Sequence, residues 1–348
     1  MEIKTKDFKR IFSVCRRFIS TKRVVDWTAN FIFARNYVYA TNLSNGIYYF
    51  TDYDFGDGFM LPAADVATFF QNLDSETCTL TETPKKVKFE TGKTKVYFQK
   101  QYGMAQVSFV QLPTDPYSPI DSEMWELVEK AKFSIGEENT NYELTGVYLH
   151  NGSIYSSNGK TATRIDYSDE GVDAYFPKTL IKILDDIAAA PVGISQSDTC
   201  TMLAYEKFTV FSQKLMSANS LPLEILDARI DSFDDGACVL KVDLEEMKRA
   251  VRRVSALVDP EGMALSLDFD KTNMKIHSHS ERGQIEEEIA IESNMDDGAT
   301  ISVEMNARYL LNMLKLDGEL RYMEMCFRIK NENVSHIVQT FVPLKDDA

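Results

Sequence analysis

The triplet Gly159-Lys160-Thr161 has the residue types that end a phosphate-binding loop. In such a loop, backbone amides and a lysine cradle the phosphates of a nucleotide, and the motif opens a helix. The full motif needs a glycine five residues before Gly159, but that position holds Ile154. The triplet also follows a predicted hairpin turn. We therefore expect a turn here and no nucleotide site.

The segment 52–58 has the alternating aspartates of a calcium-binding loop. Such a loop needs carboxylates in a fixed register and a bidentate glutamate at its twelfth position. The third aspartate, Asp57, is out of register, and the twelfth position holds Ala63. We expect a solvated turn.

His277 and His279 are two residues apart, so they would share one face of a strand and could hold a metal. Neither a third histidine nor a cysteine lies near them in the sequence. The four histidines of the chain are scattered, and they form no Ser-His-Asp or Cys-His pattern. The sequence thus predicts no metal site, no cofactor and no catalysis.

The cysteines predict a reducing compartment, because they are odd in number, scattered and without a CxxC pair. They are Cys15, Cys78, Cys200, Cys238 and Cys326. No apolar run reaches the roughly 18 residues that a membrane helix needs. We expect a cytoplasmic protein with no membrane partner.

Charge is segregated along the chain. The net charge of −15 taken alone argues against nucleic acid, because phosphate contacts need lysine and arginine. Basic residues nevertheless concentrate on two predicted helices, while acidic residues cluster elsewhere, as at 286–288. Near the start of the chain these cations are Lys6, Lys9, Arg10, Arg16, Arg17, Lys22 and Arg23, and in the last third they are Lys248, Arg249, Arg252 and Arg253.

Both basic segments have the apolar spacing of a helix that packs one face on a core. The first has apolar residues at 8, 11, 12, 15, 18 and 19, and the other at 244, 247, 251, 254 and 257. The cations fall on the opposite side, where like charges four residues apart cost a few tenths of a kcal/mol. Two helices that accept this cost suggest a shared polyanionic partner over a merely solvated face.

The middle third differs at the equivalent helix. Its outward positions hold Glu123, Glu126, Glu129 and Lys130, which would face phosphate poorly. Lys178 and Lys182 on the next predicted helix could compensate.

The same order of elements is predicted three times. Each third has an amphipathic helix, strands, a second helix opened by a small residue or proline, and further strands that end in an apolar-proline step. The closing prolines, Pro113, Pro222 and Pro343, lie 109 and then 121 residues apart. That period is the size of a domain and exceeds the repeats of solenoids.

Alternating stretches rich in Tyr, Phe, Val and Thr predict the strands. They cover 31–42, 46–53, 86–100, 105–113, 143–159 and 263–280. Turns are expected at Asn45-Gly46, Gly92-Lys93 and Asn151-Gly152, the last as a type I′ hairpin turn. Each third is therefore α+β, with about two helices on antiparallel sheet. We predict three domains, at 1–119, 120–237 and 238–348.

With this pattern, the chain resembles the β sliding clamp of bacterial DNA polymerase III in a diverged form, over its whole length. Residues 124–149 are similar to the start of that family's middle domain, and NGKTATR (158–164) stands where the family has a TDGHRLA-like segment. SVEMNARYLLNMLKLDG (302–318) resembles its last domain, and 340–344 its MPM-type end.

The resemblance implies a processivity factor that binds duplex DNA without sequence preference. Two subunits would join head to tail as a homodimer, and six domains would close a ring with helices lining the hole. The basic helix faces would lie toward the duplex. A replicative DNA polymerase and a clamp loader would be its other partners.

The resemblance also implies two contact sites. A pocket for partner peptides would be lined by Leu144, Gly159, Lys160, Thr161, Ala162, Pro222, Leu226, Thr340, Val342, Pro343 and Leu344. The dimer contact would place Val107 and Phe109 of one subunit against Ala256 and Leu257 of the other.

One other class of function remains open from the residues alone. An acidic α+β protein could share the domain repeat and act as a DNA mimic or a regulator of replication proteins. Basic helices in two equivalent positions favour the clamp, because a mimic would not need them.

Overall fold

A computed structural model of the chain describes residues 1–20, 25–101, 103–120, 122–137, 142–167, 173–187, 189–197, 199–213, 221–258 and 263–341. It confirms the α+β class. Within the described residues the predicted order of elements recurs in each third of the chain.

The elements of the first third begin and end as follows: β1 (Glu2–Lys4), α1 (Thr5–Cys15), β2 (Asn30–Ala34), β3 (Tyr37–Thr41), β4 (Asn45–Phe50), β5 (Phe59–Pro62), α2 (Ala63–Gln71), β6 (Thr77–Glu82), β7 (Lys86–Thr91) and β8 (Thr94–Gln99). The middle third continues with β9 (Ser118–Pro119), α3 (Ser122–Ala131), β10 (Gly146–His150), β11 (Ser153–Ser157), β12 (Thr161–Asp166), β13 (Ala174–Pro177), α4 (Lys178–Asp185), β14 (Gly193–Gln196), β15 (Cys200–Ala204) and β16 (Phe208–Gln213).

An additional helix, α5 (Leu223–Asp231), precedes the last third. The last third then contains β17 (Cys238–Lys241), α6 (Leu244–Val254), β18 (Ala264–Phe269), β19 (Asn273–Ser280), β20 (Gly283–Ala290), β21 (Glu292–Ser293), β22 (Ile301–Asn306), α7 (Ala307–Met313), β23 (Glu319–Met323), β24 (Cys326–Lys330) and β25 (Val334–Gln339).

The chain divides into two compact units. Unit 1 comprises Met1–Glu126 and Ala174–Met216, and unit 2 comprises Leu127–Asp173 and Ser217–Ala348. Unit 1 holds an antiparallel sheet of order β1-β6-β7-β8 and another of order β5-β2-β3-β4-β16-β15-β14-β9. In unit 2 the strands run β10-β11-β12-β25-β24-β23-β17-β21 in one sheet and β20-β19-β18-β22 in another. The three-domain division at 119 and 237 stays a prediction.

Helix α1 packs as its apolar spacing predicts. Phe8, Ile11, Phe12 and Cys15 are all buried. The ring of Phe12 stacks on that of Phe31 in β2, with 4.9 Å between the centroids. Aromatic pairs at this distance add to the free energy gained by burying their surface. This apolar face fixes which side of α1 presents its cations.

Helix α6 begins at a side-chain cap. The carboxylate of Asp243 accepts hydrogen bonds from the backbone amides of Glu245 and Glu246, at 2.9 and 3.0 Å. These bonds satisfy two amides that have no partner inside the helix. The buried face of α6 consists of Met247, Ala250, Val251 and Val254.

Two of the three predicted turns are confirmed. Asn151 and Gly152 have φ of 48° and 75°, as a type I′ turn requires, and Gly92 has φ of 51° between β7 and β8. The prediction of a turn at Asn45-Gly46 is wrong, because both residues belong to β4. A Cβ at position 46 would lie 2.2 Å from the ring of Phe211, so glycine there serves close packing.

The strand predicted at 105–113 is also wrong. Beyond a short 3-10 turn at Met104–Gln106, this segment is irregular and packs on the eight-stranded sheet of its own unit. The hydroxyl of Tyr48 donates to the carbonyl of Val110 at 2.6 Å, and the ring of Phe109 lies 5.1 Å from that of Tyr39. Tyrosine hydroxyls thus satisfy backbone groups that a strand would pair with a neighbour.

Among the residues described, the structure contains no helix long and apolar enough to span a membrane.

Candidate functional site

Three of the predicted DNA-facing cations lie together on unit 1. Lys9, Arg16 and Arg17 line a groove of about 580 Å³ between α1 and α2, which we name the α1–α2 groove. Its remaining lining residues are Phe12, Ser13, Ala67 and Gln71. The apolar floor comes from the buried sides of both helices, and the polar atoms stand at its rim.

The other two cations of α1 face different openings. Arg10 lines a cavity of about 370 Å³ that also contains the carboxylates of Asp7, Asp52 and Glu206. Lys6 borders an opening of about 520 Å³ together with Asp74 and Glu76, and Lys9 lines both this opening and the α1–α2 groove. The structure therefore divides the basic face predicted for α1 into one cationic groove and two mixed surfaces.

Arg17 already has a partner in unit 1. Its guanidinium forms an ion pair with the carboxylate of Asp186, just after α4, and both side chains are partly exposed. An exposed pair of this kind contributes at most about 1 kcal/mol. The predicted DNA-facing residues Lys22 and Arg23 lie outside the described residues.

Two of the four cations of α6 form ion pairs within unit 2. Lys248 Nζ lies 2.7 Å from Glu245 Oε1, one turn earlier on the same helix. Arg253 makes two hydrogen bonds to the carboxylate of Glu287 on β20, at 2.6 and 3.0 Å. Those bonds lower the pKa of Glu287. Arg249 and Arg252 are exposed on the same helix.

The middle third keeps the acidic character expected of its first helix. Glu123 and Glu126 are exposed on α3, and Glu129 forms an ion pair with Lys132. On α4, Lys178 is half-buried and Lys182 is exposed, so only the second is fully at the surface.

The predicted peptide-pocket residues come together in unit 2. Strands β12 and β25 pair so that Thr161 lies opposite Val338, and the amide of Gln339 donates to the carbonyl of Lys160 at 2.8 Å. This register brings Gly159, Lys160, Thr161 and Ala162 to the end of β25, where Thr340 is buried.

Leu144 and α5 supply the rest of the described pocket residues. A Cβ at Gly159 would lie 3.6 Å from Leu144 Cδ1, so Leu144 lies beside this glycine. Pro222 precedes the first residue of α5, and Leu226 of α5 packs into the apolar cluster that contains Ala162. Val342, Pro343 and Leu344 lie outside the described residues.

Arg164 fixes α5 to the sheet, a role that was not predicted from the sequence. Its Nη1 and Nη2 lie 3.1 Å from Asp227 and 2.8 Å from Asp231, both on α5. The hydroxyl of Tyr155 donates to the second oxygen of Asp227 at 3.1 Å. Burial opposes the charge of Arg164, but these carboxylates raise its pKa. Asp227 and Asp231, four residues apart, were a signal for one helix face.

The end of α5 is held by a second cation, and this one is buried. Arg328 is fully buried, and it donates from Nη1 to the carbonyl of Ile230 at 2.9 Å and from Nη2 to Asp234 at 2.6 Å. The bond from Arg328 lowers the pKa of Asp234 to about 2. Two arginines thus fix the helix that carries Leu226.

Two of the predicted dimer residues lie in unit 1 and two lie in unit 2. Val107 and Phe109 pack against the aromatic cluster of their own sheet in unit 1, so both are half-buried. In unit 2, Ala256 is exposed, and Leu257 lies beside the turn into β20, with its Cδ1 3.7 Å from the Cβ position of Gly283.

The segments weighed for other chemistry have structural roles. The amides of Lys160 and Thr161 donate to the side chain of Asn158 at 2.9 and 2.7 Å, which closes a turn without a helix. His277 pairs with Asp268 at 2.9 Å. In the part of the chain that the structure describes, no three metal-binding side chains are grouped.

The chain matches known proteins through one family model and through solved structures. Residues 234–338 match the family model for the C-terminal domain of the DNA polymerase III beta subunit. No curated protein sequence matches the chain.

Solved structures match over nearly the full length. The beta subunit of DNA polymerase III from Pseudomonas aeruginosa has a TM-score of 0.83 at 14% identity, with 98% of this chain and 99% of that one covered. The sliding clamp of Bacillus subtilis has 0.82 at 15%, with 99% of each chain covered. The beta sliding clamp of C. crescentus has 0.84 at 16%, with 98% and 99% covered. The resemblance inferred from the sequence is therefore confirmed: this chain has the fold of the bacterial DNA polymerase III beta sliding clamps.

Proposed function

We propose that this chain is a DNA polymerase processivity factor, a sliding clamp without catalysis or cofactor of its own. Two copies would form a head-to-tail homodimeric ring around double-stranded DNA, with no sequence preference. The observation that carries the proposal is the full-length match of fold, joined by the match of residues 234–338 to the beta subunit's C-terminal domain.

Two sheet edges support the head-to-tail joint. Strand β8 is the last strand of its sheet in unit 1, and β20 is the last strand of its sheet in unit 2. Such edges present unpaired amides and carbonyls that can pair with another chain. Lys93 and Lys95 lie at the first edge, and Glu286 and Glu288 lie at the second. Within their own sheets, Lys95 pairs with Glu90 at 3.0 Å and Glu286 pairs with Lys275 at 2.7 Å. Opposite charge favours a joint between unlike edges.

The surface that unit 1 would contribute to the joint differs from the one that the resemblance implied. Strand β8 ends at Gln99, whereas the predicted contacts Val107 and Phe109 pack within their own unit. Leu257 does lie beside the start of β20, so it fits the proposed joint. We keep all four as predicted dimer residues and add the β8 edge.

The partner site of the clamp would be the cluster around Thr161, Ala162, Leu226 and Thr340. Its apolar centre is preformed, because Ala162 and Leu226 pack in one cluster while Arg164 and Arg328 hold α5. Apolar anchors of short peptides from a replicative polymerase or a clamp loader would bind there. Small, well-packed hot spots dominate such contacts.

Light scattering and retention on DNA test the ring. We expect a particle of twice 39.6 kDa that, once loaded, stays on nicked circular DNA and leaves when the circle is cut. A monomer at micromolar concentration, together with equal loss from circular and linear DNA, would contradict the proposal.

Peptide binding tests the partner site separately. Deletion of residues 340–348 is expected to abolish binding of a polymerase-derived peptide while the particle remains a dimer. Unchanged peptide affinity would reject this site, and the ring would be unaffected.

A further inference from the structure

The cavity between α1 and the end of β4, which we name the α1–β4 cavity, gathers charged side chains that do not pair with one another. It has a volume of about 370 Å³, and all its lining residues belong to unit 1. Its charged lining residues are Asp7, Arg10, Asp52, Glu206 and Lys207. Among the residues that the structure describes, none of these five side chains has an ion pair or a hydrogen bond. Carboxylates and cations thus border one opening without neutralising each other.

A buried hydroxyl borders the same cavity. Tyr49 lines the cavity although the residue is only 3% exposed, and its ring stacks on that of Phe208 with 5.5 Å between the centroids. Within the described part of the chain, its hydroxyl has no hydrogen-bond partner. Burial raises the pKa of Tyr49, while the charge of Arg10 lowers it and those of Asp7 and Glu206 raise it, so the hydroxyl lies near these three side chains. Buried hydroxyls are normally hydrogen-bonded, so we expect this one to have a partner in the cavity.

The walls of the α1–β4 cavity are bonded to one another. The backbone amide of Phe50 donates to the carbonyl of Lys207 at 2.9 Å, which joins the end of β4 to the turn between β15 and β16. The amide of Lys4 donates to the hydroxyl of Tyr53 at 2.9 Å, which joins the start of α1 to the segment after β4. The lining residues are therefore held in place before any ligand binds, and such preorganisation favours affinity.

We propose that the α1–β4 cavity binds a small zwitterion, with a guanidinium or ammonium group at one end and a carboxylate at the other, and that a free basic amino acid is the simplest ligand of this class. The three carboxylates of the lining bind the cationic end, and Arg10 and Lys207 bind the carboxylate by charge-assisted hydrogen bonds. Neither DNA nor a partner peptide is needed for this binding, so the site is independent of the proposed function.

The balance of charge favours a ligand with one positive charge in excess. The lining has three carboxylates and two cations, so it carries one net negative charge. A free basic amino acid has two cationic groups and one carboxylate, which is the opposite balance. A DNA phosphate at this opening would instead be repelled by the carboxylates. Arg10 is therefore better placed for this ligand than for the DNA backbone.

Aromatic side chains favour guanidinium as the cationic end. Tyr49, Phe50 and Tyr53 line the cavity beside the carboxylates. A guanidinium is planar, offers five N–H donors and stacks on aromatic rings, whereas an ammonium is a compact and strongly hydrated charge. The carboxylates are on separate elements, so several donors can be satisfied at once. We therefore expect L-arginine to bind more tightly than L-lysine.

Isothermal titration calorimetry with L-arginine tests the site in the full-length protein. At constant ionic strength, we expect saturable binding with a dissociation constant below about 1 mM. L-Citrulline lacks the cation of the side chain, and agmatine lacks the carboxylate. Each should bind at least about tenfold more weakly, because it loses charge-assisted hydrogen bonds. Agmatine that binds as tightly as arginine, or no binding of arginine, would overturn the proposal.

N-acetyl-L-arginine amide distinguishes a free amino acid from an arginine side chain of a partner protein. The blocked compound keeps the guanidinium but has neither a free ammonium group nor a carboxylate. It should therefore bind at least about tenfold more weakly than L-arginine. Equal affinity would identify a protein side chain as the occupant and overturn the free zwitterion.

Matched variants show where arginine binds. Asp52→Asn removes a carboxylate of the lining and should weaken arginine binding about tenfold, and Tyr49→Phe removes only the buried hydroxyl and should weaken it about threefold. The control is Asp57→Asn, because Asp57 is an exposed carboxylate of the same segment that does not line the cavity. Circular dichroism and light scattering check that the variants keep their fold and oligomeric state. Folded variants Asp52→Asn and Tyr49→Phe that bind arginine as tightly as Asp57→Asn would place the ligand elsewhere and overturn this site.

Discussion

His336 is a residue whose burial has consequences for stability. It is fully buried in unit 2, where its Nδ1 lies 2.9 Å from Thr163 Oγ1 and 3.3 Å from Ser134 Oγ. The ring of Phe133 packs against it with 4.6 Å between the centroids. Burial disfavours the charged imidazolium and lowers the pKa of His336 to about 3.

We therefore predict that the stability of unit 2 falls on acidification below pH 6.5. Between the unfolded pKa near 6.5 and the folded pKa of about 3, the unfolded chain binds one more proton than the folded chain. For each unit by which the pH falls in that window, the free energy of unfolding should decrease by about 1.4 kcal/mol because of this residue. Urea unfolding followed from pH 7.5 to 5 measures the slope, because most carboxylates stay ionised there.

A variant isolates the contribution of His336. His336→Gln should be less stable at pH 7.5, but its free energy of unfolding should depend less on pH. The matched control is His279→Gln, since His279 is exposed. If His336→Gln and the unmodified protein show the same slope, the buried histidine is not the titrating group.

Helix α5 is an element that owes its position to charged contacts more than to apolar packing. Within Leu223–Asp231 only Ile230 is buried, and Ile225 keeps 71% of its exposure. Arg164 bonds the middle of the helix, and Arg328 bonds its end. Arg164 is largely buried, whereas Asp227 and Asp231 keep 35% and 56% of their exposure, so loss of the arginine leaves two carboxylates that water screens only in part.

We predict that Arg164→Met loosens α5 without unfolding unit 2. The variant leaves Asp227 and Asp231 close together without their cation, so the free energy of unfolding should fall by about 1–3 kcal/mol. Amide exchange should accelerate in α5 before it does in β12. Affinity for a polymerase peptide should fall with it, because Leu226 is on α5.

Arg308→Met serves as the control for that variant, since Arg308 is exposed on α7. It should change the free energy of unfolding by about 0.5 kcal/mol or less. Peptide affinity that survives Arg164→Met while exchange in α5 accelerates would show that the helix does not shape the pocket.

At the level of elements, hydrophobic periodicity identified the six helices of the repeat but not α5. The segment 223–231 buries only one side chain, so its sequence does not need the strong apolar spacing by which the other helices were predicted. The strand prediction for 105–113 was wrong although its apolar spacing is strong. Its alternating apolar residues do pack inward, but Tyr39 and Tyr48 bind its carbonyls, so no neighbouring strand is needed.

The residue types of the predicted DNA-facing surface could be read from the sequence, but the ion pairs that its cations form could not. The sequence shows the cations of α1 and α6 as equal stripes. It cannot show that Arg253 bonds Glu287, which is 34 residues away on β20. Which cations stay available for phosphate depends on such tertiary contacts, and these became visible only with the fold.

For the whole molecule, the charges of the two free edges predict how a second copy would join. Lys95 is on β8, where its neighbour Tyr97 keeps 57% of its exposure. Glu286 and Glu288 are exposed on β20. The proposed head-to-tail ring would use the β8 edge of one copy and the β20 edge of the other at both joints, so one chain can carry both halves of a charge swap.

We predict that Lys95→Glu and Glu286→Lys each weaken the dimer, because each places like charges across the joint, and that the double variant recovers it. Each single change should raise the dimer dissociation constant about tenfold, and the double variant should return to within about threefold of the unmodified protein. Analytical ultracentrifugation over a concentration series at low salt measures all four proteins. Lys271→Glu controls for net charge, because Lys271 lies on the turn between β18 and β19 and, like Lys95 and Glu286, takes part in an ion pair, here with Asp297. Additive losses in the double variant would show that these edges do not meet, and a dimer would then have to form through another surface.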